Sequence, residues 1–202
     1  MLVLATRNEG KKREILKLLE NLSLTVKSLK DFPEIGEIPE TGKTFEENAR
    51  IKAQTVHAIT GGFVLSDDSG LECEDLENRP GVDSAYFAGP HATDEENNQK
   101  LVSEMMKAHD PCRTARYICV MILIDPTGTE HIFRATCKGL ITLTPSGTGG
   151  FGYDPYFFLP NQGCTMAEIP LEEKNKISHR GKVLKQVMNF LQSLFQVKSP
   201  LN

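Results

Sequence analysis

Apolar positions along the chain follow two rhythms: short runs or alternation, and spacings of three and four. Leu2 to Ala5 is a short apolar run and predicts a first strand. It passes through the polar segment Thr6-Arg7-Asn8-Glu9-Gly10-Lys11-Lys12 into Ile15, Leu18, Leu19 and Leu22, which take up helical spacing. Leu24 to Leu29 alternates as a strand does, and an acidic, proline-containing loop follows from Asp31 to Gly42. Thr44-Phe45-Glu46-Glu47 has the form of a capping box. The helix it opens carries Phe45, Ala49, Ala53 and Val56 on one stripe and ends near Gly61-Gly62, with Lys52 expected on a different face.

Phe63-Val64-Leu65-Ser66 reads as a strand buried on both faces, followed at once by Asp67-Asp68-Ser69-Gly70. Leu71 to Leu76 continues in extended form, and Arg79 to Ser84 is turn-rich. Thr93-Asp94-Glu95-Glu96 is a second capping box, opening a helix to about His109 with Leu101, Met105 and Ala108 inward. Arg113 to Ile124 and Glu130 to Leu143, joined by Asp125-Pro126-Thr127-Gly128, predict a long hairpin. Asp154 to Leu159 looks like strand, Met166 to Ile169 and Leu171 onward helical. A last helix from about Lys182 to Val197 presents Leu184, Val187, Met188, Leu191 and Phe195, with His179-Arg180 just ahead of it. Parallel strands and helices early, with an antiparallel hairpin late, imply an α/β fold with a mixed sheet.

Composition narrows the field. A chain of 202 residues is long enough for a full core and is expected to form one domain, 1–202, of two lobes around a cleft. A net charge of -4 argues against a dedicated binder of nucleic acid or of an anionic membrane, so the cations for any anionic ligand must be local. The five cysteines are scattered without a CxxC pair and read as reduced thiols in a cytoplasmic protein. No run approaches a membrane span, and the start lacks the basic region of a signal peptide.

Three stretches carry candidate chemistry. The polar loop after the first strand ends on a helix N-terminus, where free N–H groups and the helix dipole favour an anion and Lys11 adds a charge; the plainer alternative is a solvated connection. Asp67 and Asp68 follow a central strand, where α/β sheets place their ligand crevices. Successive side chains on an extended chain point opposite ways, so one carboxylate can face a cleft while the other ties down backbone amides; alternatively, both organise a turn before Gly70. The glycine-dense segment Pro145 to Pro155 contains G-x-G-x-x-G, but it does not lead into a helix, so a dinucleotide fingerprint is rejected. It reads instead as a loop that lets backbone approach a ligand, with Phe151 and Tyr153 able to stack on a flat ring.

Taken together, Thr6-Arg7-Asn8-Glu9-Gly10-Lys11, Glu40 to Ala49, Ser66-Asp67-Asp68-Ser69-Gly70-Leu71, Gly149 to Pro155 and Ile177-Ser178-His179-Arg180 resemble the five signature segments of the inosine triphosphate pyrophosphatase family, the Ham1 or RdgB group. The resemblance runs over practically the whole chain. It implies an elongated, ITPase-like (anticodon-binding-like) α/β fold whose mixed sheet and flanking helices form two lobes around a nucleotide cleft, usually in a homodimer. The implied reaction cleaves non-standard purine nucleoside triphosphates, ITP, dITP or XTP, to the monophosphate and pyrophosphate with Mg²⁺. By motif, Thr6, Arg7, Asn8, Glu9, Gly10 and Lys11 would hold the phosphates with Lys52 assisting, and Ser69 would touch the substrate. Asp68 would be the catalytic acidic group at the metal and the attacking water. Phe151, Gly152, Tyr153, Asp154, Lys174, His179 and Arg180 would bind the nucleoside. Glu40 would be the second metal carboxylate, with Glu37 and Glu34 on the same loop as alternatives. Arg7 departs from the small or polar residue common at its position.

The residues agree with that chemistry. Mg²⁺ prefers carboxylate and phosphate oxygens, so one or two carboxylates suffice. Arg180 and a suitably protonated His179 would bond a 6-oxo purine, whereas a 6-amino purine would oppose donor to donor, so ATP should be a poor substrate. A Maf-type nucleotide pyrophosphatase and a non-catalytic nucleotide-binding regulatory module are the rival readings.

Overall fold

Leu2–Leu4 (β1) lies between Val26–Ser28 (β2) and the start of Phe63–Cys73 (β3), parallel to both. Parallel neighbours need a crossover; Glu9–Leu19 (α1) connects β1 to β2, and Phe45–Thr60 (α2) connects β2 to β3. Beyond β3 the sheet turns antiparallel through Thr114–Ile124 (β5), Glu130–Ile141 (β6), Phe157–Leu159 (β7) and Cys164–Thr165 (β8), while Arg79–Pro80 (β4) pairs with the far end of β3. The remaining helices are Asp94–Lys107 (α3), Leu171–Ile177 (α4) and His179–Gln196 (α5). The structure is a computed structural model and describes residues 1–20, 25–108 and 112–196. Leu22, Leu24, His109 and Val197, which the pattern placed in helices or strands, lie outside the described residues, as do the side chains of Leu18 and Phe195.

The mixed sheet and the long hairpin are as the pattern implies. Thr114 to Ile124 pairs with Leu140 to Glu130 without a break. One face of β3 and β5 packs Leu65, Cys119, Met121 and Leu123 against Ile15 and Leu19 of α1 and Val183, Leu184, Val187 and Leu191 of α5. The opposite face carries Val64, Ile122 and Ile124 against Ala49, Ala53 and Val56 of α2. A separate core under α3 joins Leu71, Leu101, Met105, Tyr117, Tyr153 and Phe157.

Several boundaries differ from expectation, each for a local reason. β3 does not stop at Ser66 but continues to Cys73, because Val64 to Cys73 forms a complete ladder with Ile124 to Ala115 that overrides the turn preference of Asp, Ser and Gly. α1 begins at Glu9, two residues before Lys11, because the Asn8 side chain accepts from the Lys11 N–H at 3.0 Å. α5 begins at His179 because Ser178 Oγ accepts from the Gly181 N–H at 3.1 Å. His179 and Arg180 therefore sit in the first turn of the helix. Asp154–Tyr156 is a 3₁₀ turn ahead of β7, and Met166 to Ile169 is not helical: Met166 N–H and Ala167 N–H bond back to Phe157 and Asp154 carbonyls. The Thr93 capping box is complete, whereas at Thr44 the Glu47 carboxylate accepts from Lys43 N–H.

Candidate active site

β1 pairs with β3 only as far as Leu65, and β4 joins the same edge only at Glu72. Between them that edge of β3 has no strand neighbour among the described residues, while β5 pairs along its other edge. The carboxylates at 67 and 68 are thus presented from the middle of a strand, at the point where its parallel partner ends. A cavity of about 520 Å³ opens there.

Alternation along β3 separates the two carboxylates. Asp67 faces α1 and α5: Lys11 Nζ lies 3.1 Å from its Oδ2 and Arg180 Nε 3.7 Å. Its oxygens make no well-directed hydrogen bond among the described residues. Burial opposes its ionisation, but Lys11, Arg180 and Lys52 outweigh that and hold its pKa below the ordinary carboxylate value. Asp68 faces α2 and lines the cavity: Asn48 Nδ2 donates to its Oδ2 at 3.2 Å and the Ser69 N–H to its Oδ1 at 2.9 Å. Burial dominates here and raises its pKa despite Lys11 and Lys52. One carboxylate was expected to face a cleft and the other to tie down a backbone amide; Asp68 does both.

The cations converge from α1 and α2. Lys11 Nζ touches Asp67 and stands 3.9 Å from Asp68; burial lowers its pKa, but the two carboxylates more than reverse that. Lys52 is buried, not on a different face from the apolar stripe, because positions 45, 48, 49, 52, 53 and 56 all fall on one side of α2. Its ammonium lies 2.8 Å from Glu40 and 3.8 Å from Asp68. Glu37 also lines the cavity and Glu34 does not. Thr6, Arg7 and Asn8 line it too, although the Arg7 guanidinium donates to the Ile35 and Gly36 carbonyls and so braces the loop bearing Glu40. Glu9 points away to Lys30, and Gly10 lies under the Phe151 ring, where a Cβ would stand 2.7 Å from Cδ1.

The other half of the cavity is lined by Phe151, Gly152, Tyr153, Asp154, Lys174, His179 and Arg180. Lys174 Nζ bonds Asp154 at 2.6 Å and Glu14 at 2.7 Å. Arg180 donates to Glu14 Oε2 and, at 2.9 Å, to Ser69 Oγ. Lys174 and Arg180 both lie over the Phe151 ring, at 5.1 and 5.5 Å from its centroid. Tyr153 turns into the core, donating to Ser84 O at 2.7 Å. The His179 ring stacks on Tyr117, centroids 4.6 Å apart; burial first, then Arg180 and Lys174, push its pKa well below the ordinary value. It is therefore neutral near pH 7, offering one N–H and one lone pair rather than two donors.

A model of the Ham1 family matches residues 2–190. The chain belongs to the Ham1 family. A dITP/XTP pyrophosphatase of Geobacter sulfurreducens is 51% identical over 183 residues, covering 91% of this chain and 92% of that protein. One of Streptococcus thermophilus is 49% identical over 189 residues, covering 93% of this chain but 58% of that longer protein. Among solved structures, a HAM1 protein from Coxiella burnetii superposes with a TM-score of 0.88 at 40% identity, covering 95% of this chain and 98% of that one. The match sets aside the Maf-type alternative.

The site of this Ham1-family chain is also supported by residues to which the motif reading gave no role. Glu14 is 4% exposed and joins Lys174 to Arg180; it lies three residues after Lys11, hence on the same helix face, which was the available signal. Asn48 links Asp68 to the Gly42 N–H, which it accepts at 2.7 Å, and its place on the α2 stripe marked it as inward. Tyr117 donates to Asp154 Oδ1 at 3.2 Å; nothing in its strand pattern set it apart from core.

Proposed function

We infer that this chain hydrolyses purine nucleoside triphosphates of the dITP, ITP and XTP class to the monophosphate and pyrophosphate. The observation that carries this is the convergence of Lys11 and Lys52 on Asp68 in one cavity with Phe151, Lys174, His179 and Arg180. Lys11, Lys52 and the start of α1 hold the triphosphate. Asp68, with its raised pKa, accepts the proton of the attacking water, and a base nearer neutrality is the more effective one. Asn48 and the Ser69 N–H fix its carboxylate while leaving lone pairs facing the cavity.

Asp68 and Glu40 are the residues that would hold Mg²⁺. Both approach one ammonium, that of Lys52, so their oxygens already share a cation position. Among the described residues no three His, Cys, Asp or Glu side chains cluster as metal ligands. That fits an ion which takes one or two carboxylates and completes its shell with water and phosphate. When bound, it would offset phosphate charge and stabilise the departing pyrophosphate.

On the nucleoside side, Arg180 carries donors only, which a 6-oxo purine accepts and a 6-amino group cannot; a neutral His179 adds one N–H. With this function we propose that residues 1–202 work as one two-lobed unit, as a cytoplasmic homodimer; among the described residues no helix is long and apolar enough to cross a membrane. The test is pyrophosphate release from dITP, ITP, XTP, GTP and ATP with and without Mg²⁺. Pyrophosphate from the inosine and xanthosine nucleotides, with ATP poor, is expected. Orthophosphate alone, or no turnover as in a regulatory module, refutes the proposal.

A further inference from the structure

Gly152 stands in the loop between Phe151 and Asp154, with φ at +62°. No neighbour would obstruct a side chain there, so its backbone conformation rather than space sets it apart. An untethered glycine is the residue with the most conformations to lose. Here α3 holds it on both sides. The Gly152 N–H donates to Asp94 Oδ2 at 2.6 Å, and the Gly152 carbonyl accepts from Asn98 Nδ2 at 3.0 Å. Positions four apart share a helix face, which lets one helix reach both polar groups of one residue. α3 is itself fixed by Leu101 and Met105, both fully buried. Inside the loop, the Phe151 N–H donates to Asp154 Oδ2 at 3.0 Å, so the peptides on either side of Phe151 are all constrained.

We propose that Asp94 and Asn98 are positioning residues for nucleoside binding: by clamping Gly152 they hold Phe151 and Asp154 in the binding geometry before the nucleotide arrives. This rests on the nucleotide reading above. Loss of either bond returns freedom to a glycine that each binding event must then order again. The chemistry at Asp68 lies elsewhere on β3 and is untouched, so the cost falls on KM and not on kcat.

The experiment compares kcat and KM for ITP and dITP in the wild type, Asp94→Ala, Asp94→Asn and Asn98→Ala, with ITP affinity by calorimetry. Asp94 is exposed, so its variants retain the core. Asp94→Ala should raise KM and Kd about tenfold for both nucleotides, with kcat within about twofold. Asp94→Asn should stay near wild type, because it keeps an acceptor; both substitutions remove the same charge from the start of α3, so the difference isolates the bond. Wild-type KM and Kd in Asp94→Ala, or equal impairment by Asn and Ala, overturns the clamp. A loss confined to ITP also overturns it, placing Asp94 on the ribose 2′-hydroxyl instead. Failure of the wild type to release pyrophosphate refutes the enzymatic reading, and the calorimetric comparison then still decides the clamp.

Discussion

Replacing Glu14 by Gln tests whether the buried ion pairs hold Lys174 and Arg180 in place. Glu14 accepts from Lys174 at 2.7 Å and from Arg180, and all three side chains are at least nine-tenths buried. Each cation keeps a second carboxylate, Lys174 with Asp154 at 2.6 Å and Arg180 with Asp67 at 3.7 Å. Removing one member of a buried pair costs about 3–5 kcal/mol. The remaining carboxylates and the retained amide oxygen place Glu14→Gln near the lower bound, about 3 kcal/mol; Glu14→Ala, which also leaves a void, lies nearer about 5 kcal/mol. At a urea dependence of roughly 2 kcal/mol per molar, the Gln variant's midpoint should fall by about 1.5 M. The pH dependence supplies a second check. Burial opposes ionisation of Glu14, but Arg180 and Lys174 outweigh it, so its folded pKa lies below the ordinary 4.5. A depressed carboxyl stabilises fully above the unfolded value and loses that contribution as pH falls through the folded one. The gap between wild type and Gln should therefore be complete at neutral pH and narrow below 4.5. A Gln variant within about 1 kcal/mol of wild type at pH 7 would refute the reasoning, since it would mean the pairs are solvated.

Further outcomes follow from the same geometry. Asp68→Asn should fold and lose at least about 10²-fold in kcat; near-wild-type turnover would remove Asp68 from the chemistry. Asp67→Asn should instead lower the urea midpoint, by about 3 kcal/mol in stability, because it leaves Lys11 and Arg180 undercompensated; an unchanged midpoint would argue against its ionic role. Unfolded His takes up a proton near pH 6.5 whereas buried His179 stays neutral far below that, so the unfolded chain binds more protons and stability falls on acidification from 6.5. His179→Gln should flatten that fall when the urea midpoint is followed from pH 7 to 5, and an unchanged slope sinks the idea. Gly70→Ala would bring a Cβ within 2.5 Å of Gly81 O and 2.9 Å of Phe45, so a loss of about 1–3 kcal/mol by thermal melting is expected; a neutral result would mean the Gly81–Ser84 turn is free to move.

Periodicity revealed the elements whose own sequence decides them. The β5–β6 hairpin alternates and carries its turn, and α2 shows both its Thr44 cap and its apolar stripe. What it could not reveal depended on a distant partner. Asp67 to Gly70 looks like a turn until ten consecutive residues of β3 pair with β5, and no local signal announces that ladder. The site divides in the same way. Lys11, Asp68 and the Phe151–Asp154 segment lie in recognisable motifs. Lys52 and Asn48 occupy inward positions of a helix whose other inward residues are apolar, and the spacing alone showed this had the polar residues been counted. Asp94 and Asn98 act on a loop more than fifty residues away; Asn98 lies on the inward stripe of Leu101 and Met105, but nothing in the α3 pattern says which loop it meets, and Asp94 reads as an exposed first-turn residue.

The division of labour along β3 follows from charge. Lys11, Lys52, Lys174 and Arg180 line the cavity and are matched by Asp68 and Asp154 in its lining and by Glu14 and Asp67 outside it, so these four cations are already paired. On the proposed reading, a triphosphate entering it brings negative charge that these lysines are already committed to offset elsewhere. The chain's net charge of -4 provides no wider positive field to compensate. Asp67, whose ionisation the surroundings favour, faces Lys11 and Arg180 and offsets their charge. Asp68, whose ionisation burial disfavours, gains from any added positive charge, and Glu40 beside it shares the same lysine. On that reading Asp68 and Glu40 are the carboxylates that would hold a divalent ion, whose charge would take over part of what Lys52 now offsets there. On the proposed reading, the alternation of a single strand thus puts the structural carboxylate on one face and the reactive one on the other, with Lys11 in reach of both.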